Sequence, residues 1–170
     1  MESPGKRLAK QLHDPDAARR IDAANQLGAM AEAGTLDDGP LQQLINTFEM
    51  DDTPEVQAAV INALGKSCHP AAMEILVRSL DRETPRINSL TLSLLGANAG
   101  FRVMEKIDAF SKRMDDEGTP EALILKEAAD SASRQIKLRG GRRETCQPLQ
   151  PLTPPGDSNE NPAEAGSGPS

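Results

Sequence analysis

Apolar residues recur along this chain at the spacing of helical faces. Two segments carry them at positions i, i+3, i+4 and i+7, namely Leu41, Leu44, Ile45 and Phe48, and then Met73, Leu76, Val77 and Leu80. That spacing puts all four side chains on one face of a helix. A second stripe follows each segment, with Val56, Ala59, Val60, Ala63 and Leu64 matched one repeat later by Ile87, Leu90, Thr91, Leu94 and Leu95. The pattern therefore predicts pairs of amphipathic helices, and no strand-like alternation competes with it.

Turn-forming residues mark the ends of these predicted helices. Pro follows Thr at Thr53-Pro54, Thr84-Pro85 and Thr119-Pro120, and Asp14-Pro15 stands at the corresponding place in the first pair. Pro suits the first helical turn, where its missing N–H is not needed, and the preceding Thr or Asp can cap the helix. Leu-Gly pairs end at Gly28, Gly65 and Gly96, and we expect these glycines to close the helices in a left-handed conformation.

Together these signals predict helices in pairs, at 5–13 with 15–33, 40–50 with 54–67, 70–81 with 85–98, and 101–115 with 120–138. No pair could bury its apolar stripes alone, whereas stacked pairs can, because each pair then covers its neighbours. The predicted fold is an all-α solenoid, or superhelix, of about four helical hairpins.

Two segments, DDTPEVQAAVINALGKSC and DPDAARRIDAANQLGAMAEAG, resemble the HEAT-repeat pattern, in which the second helix reads Val-Arg-x-x-Ala-x-x-Ala-Leu-Gly. They are similar to the bacterial HEAT-like repeats first named after phycobilisome lyases. The resemblance covers residues 14–138 and implies a scaffold, without specifying what the scaffold binds. The Arg of the pattern is matched only by Arg20 and is replaced by Gln57 and Asn88 in the next two repeats.

The first and fourth repeats depart from the pattern. When repeat 1 is aligned from Gly28, the polar Arg19, Asp22 and Gln26 fall on the stripe that is apolar elsewhere, and repeat 4 lacks Leu-Gly. Terminal repeats have only one neighbour each and are atypical in solenoids. We therefore expect both ends to be capping repeats.

The composition divides the chain into two parts. From about Glu144 onward aliphatic residues are nearly absent, and Pro, Gly, Ser and Asn dominate. Such a segment cannot bury enough apolar surface to offset its ordering entropy. The predicted domains are a HEAT-like repeat domain over 1–139 and a disordered C-terminal tail over 140–170. Pro148-x-x-Pro151 and Pro151-x-x-Pro154 suggest a polyproline II ligand, with a plain linker favoured over it.

The formal net charge of -7 disfavours nucleic acid as a partner, because an acidic protein repels phosphate. One basic cluster stands against this trend, formed by Arg134, Lys137, Arg139, Arg142 and Arg143. We interpret it as cations that interact with the C-terminal end of a helix dipole, ahead of an RNA or membrane contact. Since no apolar run is long enough to span a bilayer and no apolar leader follows Met1, we expect no membrane contact and a cytoplasmic location.

Residues with catalytic or metal-binding potential are few. His13 and His69 lie at predicted helix ends without a Cys or His partner set at zinc spacing, so we expect polar loop residues, no metal and no cofactor. Two enzyme classes with HEAT-type repeats find no support. Deoxyhypusine hydroxylases carry repeated His-Glu pairs, and HEAT-like DNA glycosylases need basic and aromatic surfaces, but this acidic chain has no Trp, Tyr or His-Glu pair. We expect a non-enzymatic protein; the alternative is an accessory or maturation factor for a cofactor enzyme, similar to a bilin lyase subunit.

In HEAT-type solenoids the second helices line the concave face, which commonly takes the ligand. Helical phase places on the exposed stripe of these helices Asn25, Glu55, Asn62, Lys66, Arg86, Ser89 and Ser93. Small amides and hydroxyls can hydrogen-bond a partner's backbone at low entropic cost. The hypothesis is a small adaptor or regulatory scaffold that binds a peptide or helix of another protein there, with plain solvent exposure as the alternative. The sequence leaves the oligomeric state open.

Overall fold

The computed structural model describes residues 1–82 and 84–140, which form eight α-helices and one 3-10 turn. The helices are α1 (Pro4–Gln11), α2 (Ala17–Glu32), α3 (Asp38–Met50), α4 (Pro54–Ser67), α5 (Pro70–Ser79), α6 (Pro85–Asn98), α7 (Met104–Glu117) and α8 (Pro120–Leu138), and the 3-10 turn Phe101–Val103 precedes α7. These bounds follow the predicted pairs to within a few residues, and the predicted all-α solenoid is confirmed. The predicted tail lies, from residue 141 onward, outside the described residues, so its disorder and its polyproline motifs stay predictions.

The helices form two layers around an aliphatic core. In the first layer α1 packs on α3 and α3 on α5, and in the second layer α2 packs on α4, α4 on α6 and α6 on α8. Each first helix also packs against the second helix of its own pair. Between the layers Leu27, Leu44, Leu64, Leu95 and Ile136 are completely or almost completely buried. Leu, Ile, Val and Ala therefore supply most of the burial that stabilises the fold.

Pro begins α4, α6 and α8, as predicted, and the predicted caps are partly right. The hydroxyl of Thr119 accepts a hydrogen bond from the N–H of Ala122 at 3.1 Å. Thr53 and Thr84 occupy the same place before α4 and α6, but their side chains make no such capping bond. These two helices therefore begin with the backbone restriction of Pro rather than with a side-chain cap.

The predicted start of α2 is wrong by two residues. Asp16, not Asp14, caps this helix, because its carboxylate accepts a hydrogen bond from the N–H of Ala18 at 3.0 Å. Asp14 instead accepts a bond from the N–H of Asp16 at 2.9 Å and orders the turn that contains Pro15. Two candidate caps in close succession make the sequence signal ambiguous.

The predicted role of the Leu-Gly glycines is also wrong. Gly28, Gly65 and Gly96 lie inside α2, α4 and α6, and none of them is among the residues with positive φ, such as Gly118 at the end of α7. They lie where neighbouring second helices touch: a Cβ on Gly28 would be 3.1 Å from the Cα of Ala63. At Gly28 and Gly96 the missing Cβ lets two helix backbones approach each other closely, and at Gly65 it makes room for the side chain of Leu94.

The first repeat ends the solenoid with polar side chains. Arg19, Asp22 and Gln26 are exposed or half-buried, and Gln26 donates a hydrogen bond to Asp22 at 2.7 Å. In α4 and α6 the place of Gln26 is taken by Ala63 and Leu94, which contact the glycine of the preceding second helix. Because α2 has no preceding repeat among the described residues, its outer stripe faces water and is polar, as expected for a capping repeat.

Candidate functional site

The exposed side chains of the second helices form one surface. Because α2, α4 and α6 pack side by side, residues at the same place in each helix form rows across the layer. The ninth residues make the clearest row, which consists of Asn25, Asn62 and Ser93. We call the second-helix surface the set formed by this row together with Glu55, Lys66, Arg86 and Ser89.

The residues of the second-helix surface are exposed to solvent, as the helical phase of the sequence predicts. All seven side chains are exposed or half-buried, with Asn62 and Lys66 in the half-buried group. Two residues before Asn62, Val60 is completely buried, and Leu95, two residues after Ser93, is completely buried as well. The structure therefore brings the predicted residues to one side of the second layer.

Most polar groups on this surface have no partner within the described chain. The side chains of Asn25, Asn62 and Ser93 make no hydrogen bond or ion pair with residues 1–82 or 84–140. Lys66 differs, because its Nζ lies 3.1 Å from the carboxylate of Glu32 near the end of α2. The amides and the hydroxyl therefore keep their hydrogen-bonding capacity for a ligand, whereas the ammonium already links two repeats.

The close packing of the second helices sets the spacing within the row. At the contact of α2 with α4 the small residues Gly28 and Ala63 favour an interaxial distance near the lower end of the usual range of about 8–10 Å. We therefore expect Asn25 and Asn62 to lie roughly that far apart.

One polar side chain in each of the first three second helices braces the turn before it. The fourth residues of α2, α4 and α6 are Arg20, Gln57 and Asn88. Each donates a hydrogen bond to the backbone carbonyl six residues earlier, at 2.9, 2.7 and 3.0 Å. Gln57 and Asn88 thus replace the Arg of the repeat pattern without loss of this local contact.

Arg20 also bridges two repeats. Its Nε lies 2.7 Å from the carboxylate of Asp51, and its Nη2 lies 3.3 Å from the hydroxyl of Thr53. Both charged side chains are largely buried, with exposed fractions of 16% for Arg20 and 13% for Asp51. Burial acts to raise the pKa of Asp51, but hydrogen bonds from Thr53 and Arg20 outweigh it and hold the pKa below its usual value. The ion pair therefore links α2 of repeat 1 to the turn that precedes α4 in repeat 2.

Two hydroxyl–carboxylate hydrogen bonds join α7 to α8. Ser111 donates to Asp130 at 2.6 Å, and Ser133 donates to Asp108 at 2.8 Å. The bond from Ser111 lowers the pKa of Asp130; partial burial opposes this effect, and the charge of Lys126 adds to it. Each helix of the last pair thus supplies one donor and one acceptor, which fixes the pair in one register.

The basic cluster has structural contacts where the structure describes it. Arg134 lies 3.4 Å from the carboxylate of Glu127, and Arg139 donates to the carbonyls of Ala97 and Ala99 at the end of α6. Arg139 is thus a cation at the C-terminal end of α6, whereas Arg134 pairs with a carboxylate within α8. The last two arginines of the cluster lie outside the described residues.

The two histidines have local structural contacts. Nδ1 of His69 accepts a hydrogen bond from the N–H of Ala71 at 3.2 Å and caps α5, and Nε2 of His13 lies 3.1 Å from Oε1 of Gln43. In the part of the chain that the structure describes, no group of three or more His, Cys, Asp or Glu is arranged to hold a metal ion. None of the helices described there combines the length and the apolar character needed to cross a membrane.

Comparison with known proteins agrees with this description. Residues 5–96, more than half of the chain, match the family model for HEAT repeats. The crystal structure of an engineered protein from the Northeast Structural Genomics Consortium is similar with a TM-score of 0.54 and 18% sequence identity, over 82% of this chain and 69% of that chain. At this identity the likeness shows the fold alone. No curated protein matches the chain significantly.

Proposed function

Because this chain belongs to the HEAT-repeat family, we propose that it is a non-enzymatic protein–protein interaction module that binds a partner along the second-helix surface. Repeats of this family generally serve as scaffolds for protein interactions, since stacked hairpins present an extended surface that varies without changing the fold. The observation that carries the proposal is the row of Asn25, Asn62 and Ser93, whose polar groups are open and have no partner in the described chain. The proposed role is that of a small adaptor or regulatory scaffold.

The chemistry of the surface favours a peptide or helix with polar groups to offer. Amide and hydroxyl side chains can donate to and accept from a partner's backbone or polar side chains. Glu55 and Arg86 are the second residues of α4 and α6, so charges of opposite sign lie at the same end of neighbouring helices. These charges would orient a ligand more than they would strengthen its binding.

The proposal is tested by placing bulky cations in the row. Asn62→Arg/Ser93→Arg would place two long charged side chains on the second-helix surface, at residues that do not contribute to the core. We expect this variant to keep its helical content and to lose a partner that the wild-type chain captures from a lysate of the source organism. Capture would be quantified by mass spectrometry.

A matched control carries the same two arginines on the other layer. Gln42→Arg/Ala109→Arg changes two exposed neutral residues, on α3 and α7, and adds the same charge. The proposal requires capture of the partner to be kept by this control. If both double variants captured the partner to the same extent, the second-helix surface would be rejected as the binding site. Visible absorption by the purified protein would instead support the accessory-factor alternative.

A further inference from the structure

One face of α8, the last helix described, is not covered by any other helix within residues 1–82 and 84–140. In α4 and α6 the fourth, eighth and twelfth residues are buried where the next second helix packs, and these are Gln57, Ile61 and Gly65, followed by Asn88, Leu92 and Gly96. The same places in α8 are Leu123, Glu127 and Ser131, and no further helix packs there among the described residues. We call the C-terminal end face the stripe that consists of Leu123, Ile124, Glu127, Ser131, Arg134 and Leu138.

This face carries exposed aliphatic residues at both ends and charged residues between them. Leu123, Ile124 and Leu138 are 50%, 68% and 86% exposed. At the N-terminal end of the solenoid the outer stripe of α2 carries Arg19 and Asp22 instead. Exposed large aliphatic side chains rimmed by polar residues are typical of an interaction surface.

Four residues of the C-terminal end face, Leu123, Glu127, Arg134 and Leu138, have a self-complementary order. Glu127 and Arg134 are equidistant from the midpoint between Asp130 and Ser131, and so are Leu123 and Leu138. When two copies of a helix pair antiparallel about a two-fold axis at this midpoint, each residue meets its mirror position in the other copy. Glu127 of each copy would then lie opposite Arg134 of the other, roughly 5 Å on either side of the axis.

We propose that the C-terminal end face binds a second copy of this chain, with the two α8 helices antiparallel. In such a dimer the Glu127–Arg134 pair that each chain forms within itself at 3.4 Å is exchanged for two pairs between the copies, and Leu123 meets Leu138 at each end. Ser131 lies near the centre, at the place where α2, α4 and α6 carry the contact glycines, so a small side chain allows close approach. The C-terminal end face shares no residue with the second-helix surface, so its test does not rest on the proposed partner binding.

The size of the face predicts a weak dimer. A helix of 19 residues is about 28 Å long, and one pair of such helices buries less than the 1,200 Å² or so of a small stable interface. We therefore expect a micromolar dissociation constant and a dimer that dissociates on dilution. Because Glu127 and Arg134 are 78% and 63% exposed, their substitution leaves the core of the monomer intact.

The decisive test uses two variants of the chain, Glu127→Arg and Arg134→Glu, each of which reverses one charge of the pair. In a dimer of Glu127→Arg chains, arginines face each other, and in a dimer of Arg134→Glu chains, glutamates do. Sedimentation equilibrium of the full chain is expected to show that each variant raises the dimer dissociation constant at least about tenfold. An equimolar mixture of the two variants is expected to dimerise again. One chain then carries arginine at both positions and the other carries glutamate at both, so opposite charges face each other across the axis. Contacts within one copy cannot produce that rescue.

The matched control is Glu121→Arg, which makes the same charge change at an exposed site of α8 outside the end face. This variant is expected to dimerise like the wild-type chain. A wild-type chain that is monomeric at about 100 µM would overturn the proposal and would indicate that residues 141–170 or another partner cover the face. Failure of the mixture to recover the dimer would overturn the antiparallel geometry.

Discussion

Replacing Arg20 by Met tests whether the first two repeats depend on one ion pair. The methionine keeps much of the aliphatic stem of Arg20 but removes the guanidinium that donates to Asp51, Thr53 and the carbonyl of Asp14. Asp51 would then keep its bond from the N–H of Thr53, at 2.9 Å, but would lose its countercharge. A carboxylate that is only 13% exposed would be left unpaired beside the core.

The expected cost follows from the hydrogen bonds and the ion pair that this substitution removes. Hydrogen bonds to charged groups contribute about 1.5–3 kcal/mol each, and breaking a fully buried ion pair costs about 3–5 kcal/mol. Arg20 and Asp51 keep some contact with water, so we expect the free energy of unfolding to fall by about 3 kcal/mol. With a urea m-value of about 2 kcal/mol/M, the midpoint of unfolding would fall by about 1.5 M.

Urea unfolding followed by circular dichroism measures this change, with Arg19→Met as the matched control. Arg19 lies 3.3 Å from the carboxylate of Asp14, but its side chain is 71% exposed, so its loss should cost less than about 1 kcal/mol.

Because the folded-state pKa of Asp51 is lowered, the stability that Asp51 contributes is present above its unfolded pKa of about 3.9 and is lost as the pH falls through the folded-state value. The difference between wild type and Arg20→Met should therefore be largest near neutral pH and should shrink below about pH 4. If Arg20→Met and Arg19→Met lowered the free energy of unfolding equally, or if the loss did not change with pH, the Arg20–Asp51 ion pair would not be what stabilises the first two repeats.

Two further predictions concern helix packing and the last hairpin. Gly28→Ala should not stabilise the protein, although alanine is the better helix former, because the new Cβ would press on the backbone of Ala63 at 3.1 Å. A gain of about 1 kcal/mol in thermal unfolding would show that this contact is unimportant. Ser111→Ala should raise the pKa of Asp130 toward its ordinary value, since the hydrogen bond from Ser111 is the main cause of its lowering. Carbon NMR of the carboxyl group measures that pKa, and an unchanged value would show that the hydrogen bond does not control it.

The helices are predictable because hydrophobic phase and Pro position agree along the chain. Val56, Val60 and Leu64 lie on one face of α4 by spacing alone, and Pro54 fixes where that helix begins. The polar stripe of α2 is visible in the sequence as a departure from the repeat. Its explanation requires the position of α2 at the end of the stack, which the repeat pattern indicates only in general terms.

The contacts between repeats are harder to predict. A Gly that follows Leu near the end of a helix can either close the helix as a C-cap or contact a neighbouring helix. At Gly65 the sequence does not distinguish these roles, because the contact depends on where the next second helix lies. The link from Lys66 to Glu32 spans two repeats, so no local pattern indicates it. The pair formed by Arg20 and Asp51 is likewise distant in sequence, although the Val-Arg pattern of the repeat family gives a signal at Arg20.

Site-specific photo-crosslinking shows whether a partner binds on the second-helix surface, because it identifies the molecule that lies against a chosen residue. A benzophenone amino acid at position 62 or 93 would place the probe within the row, and the same probe at position 42 or 109 would place it on the other layer. We expect positions 62 and 93 to crosslink to one and the same protein in the source lysate, and positions 42 and 109 not to crosslink to it. Crosslinks to that protein from positions 42 and 109, with none from 62 and 93, would contradict the assignment of the second-helix surface as the binding site.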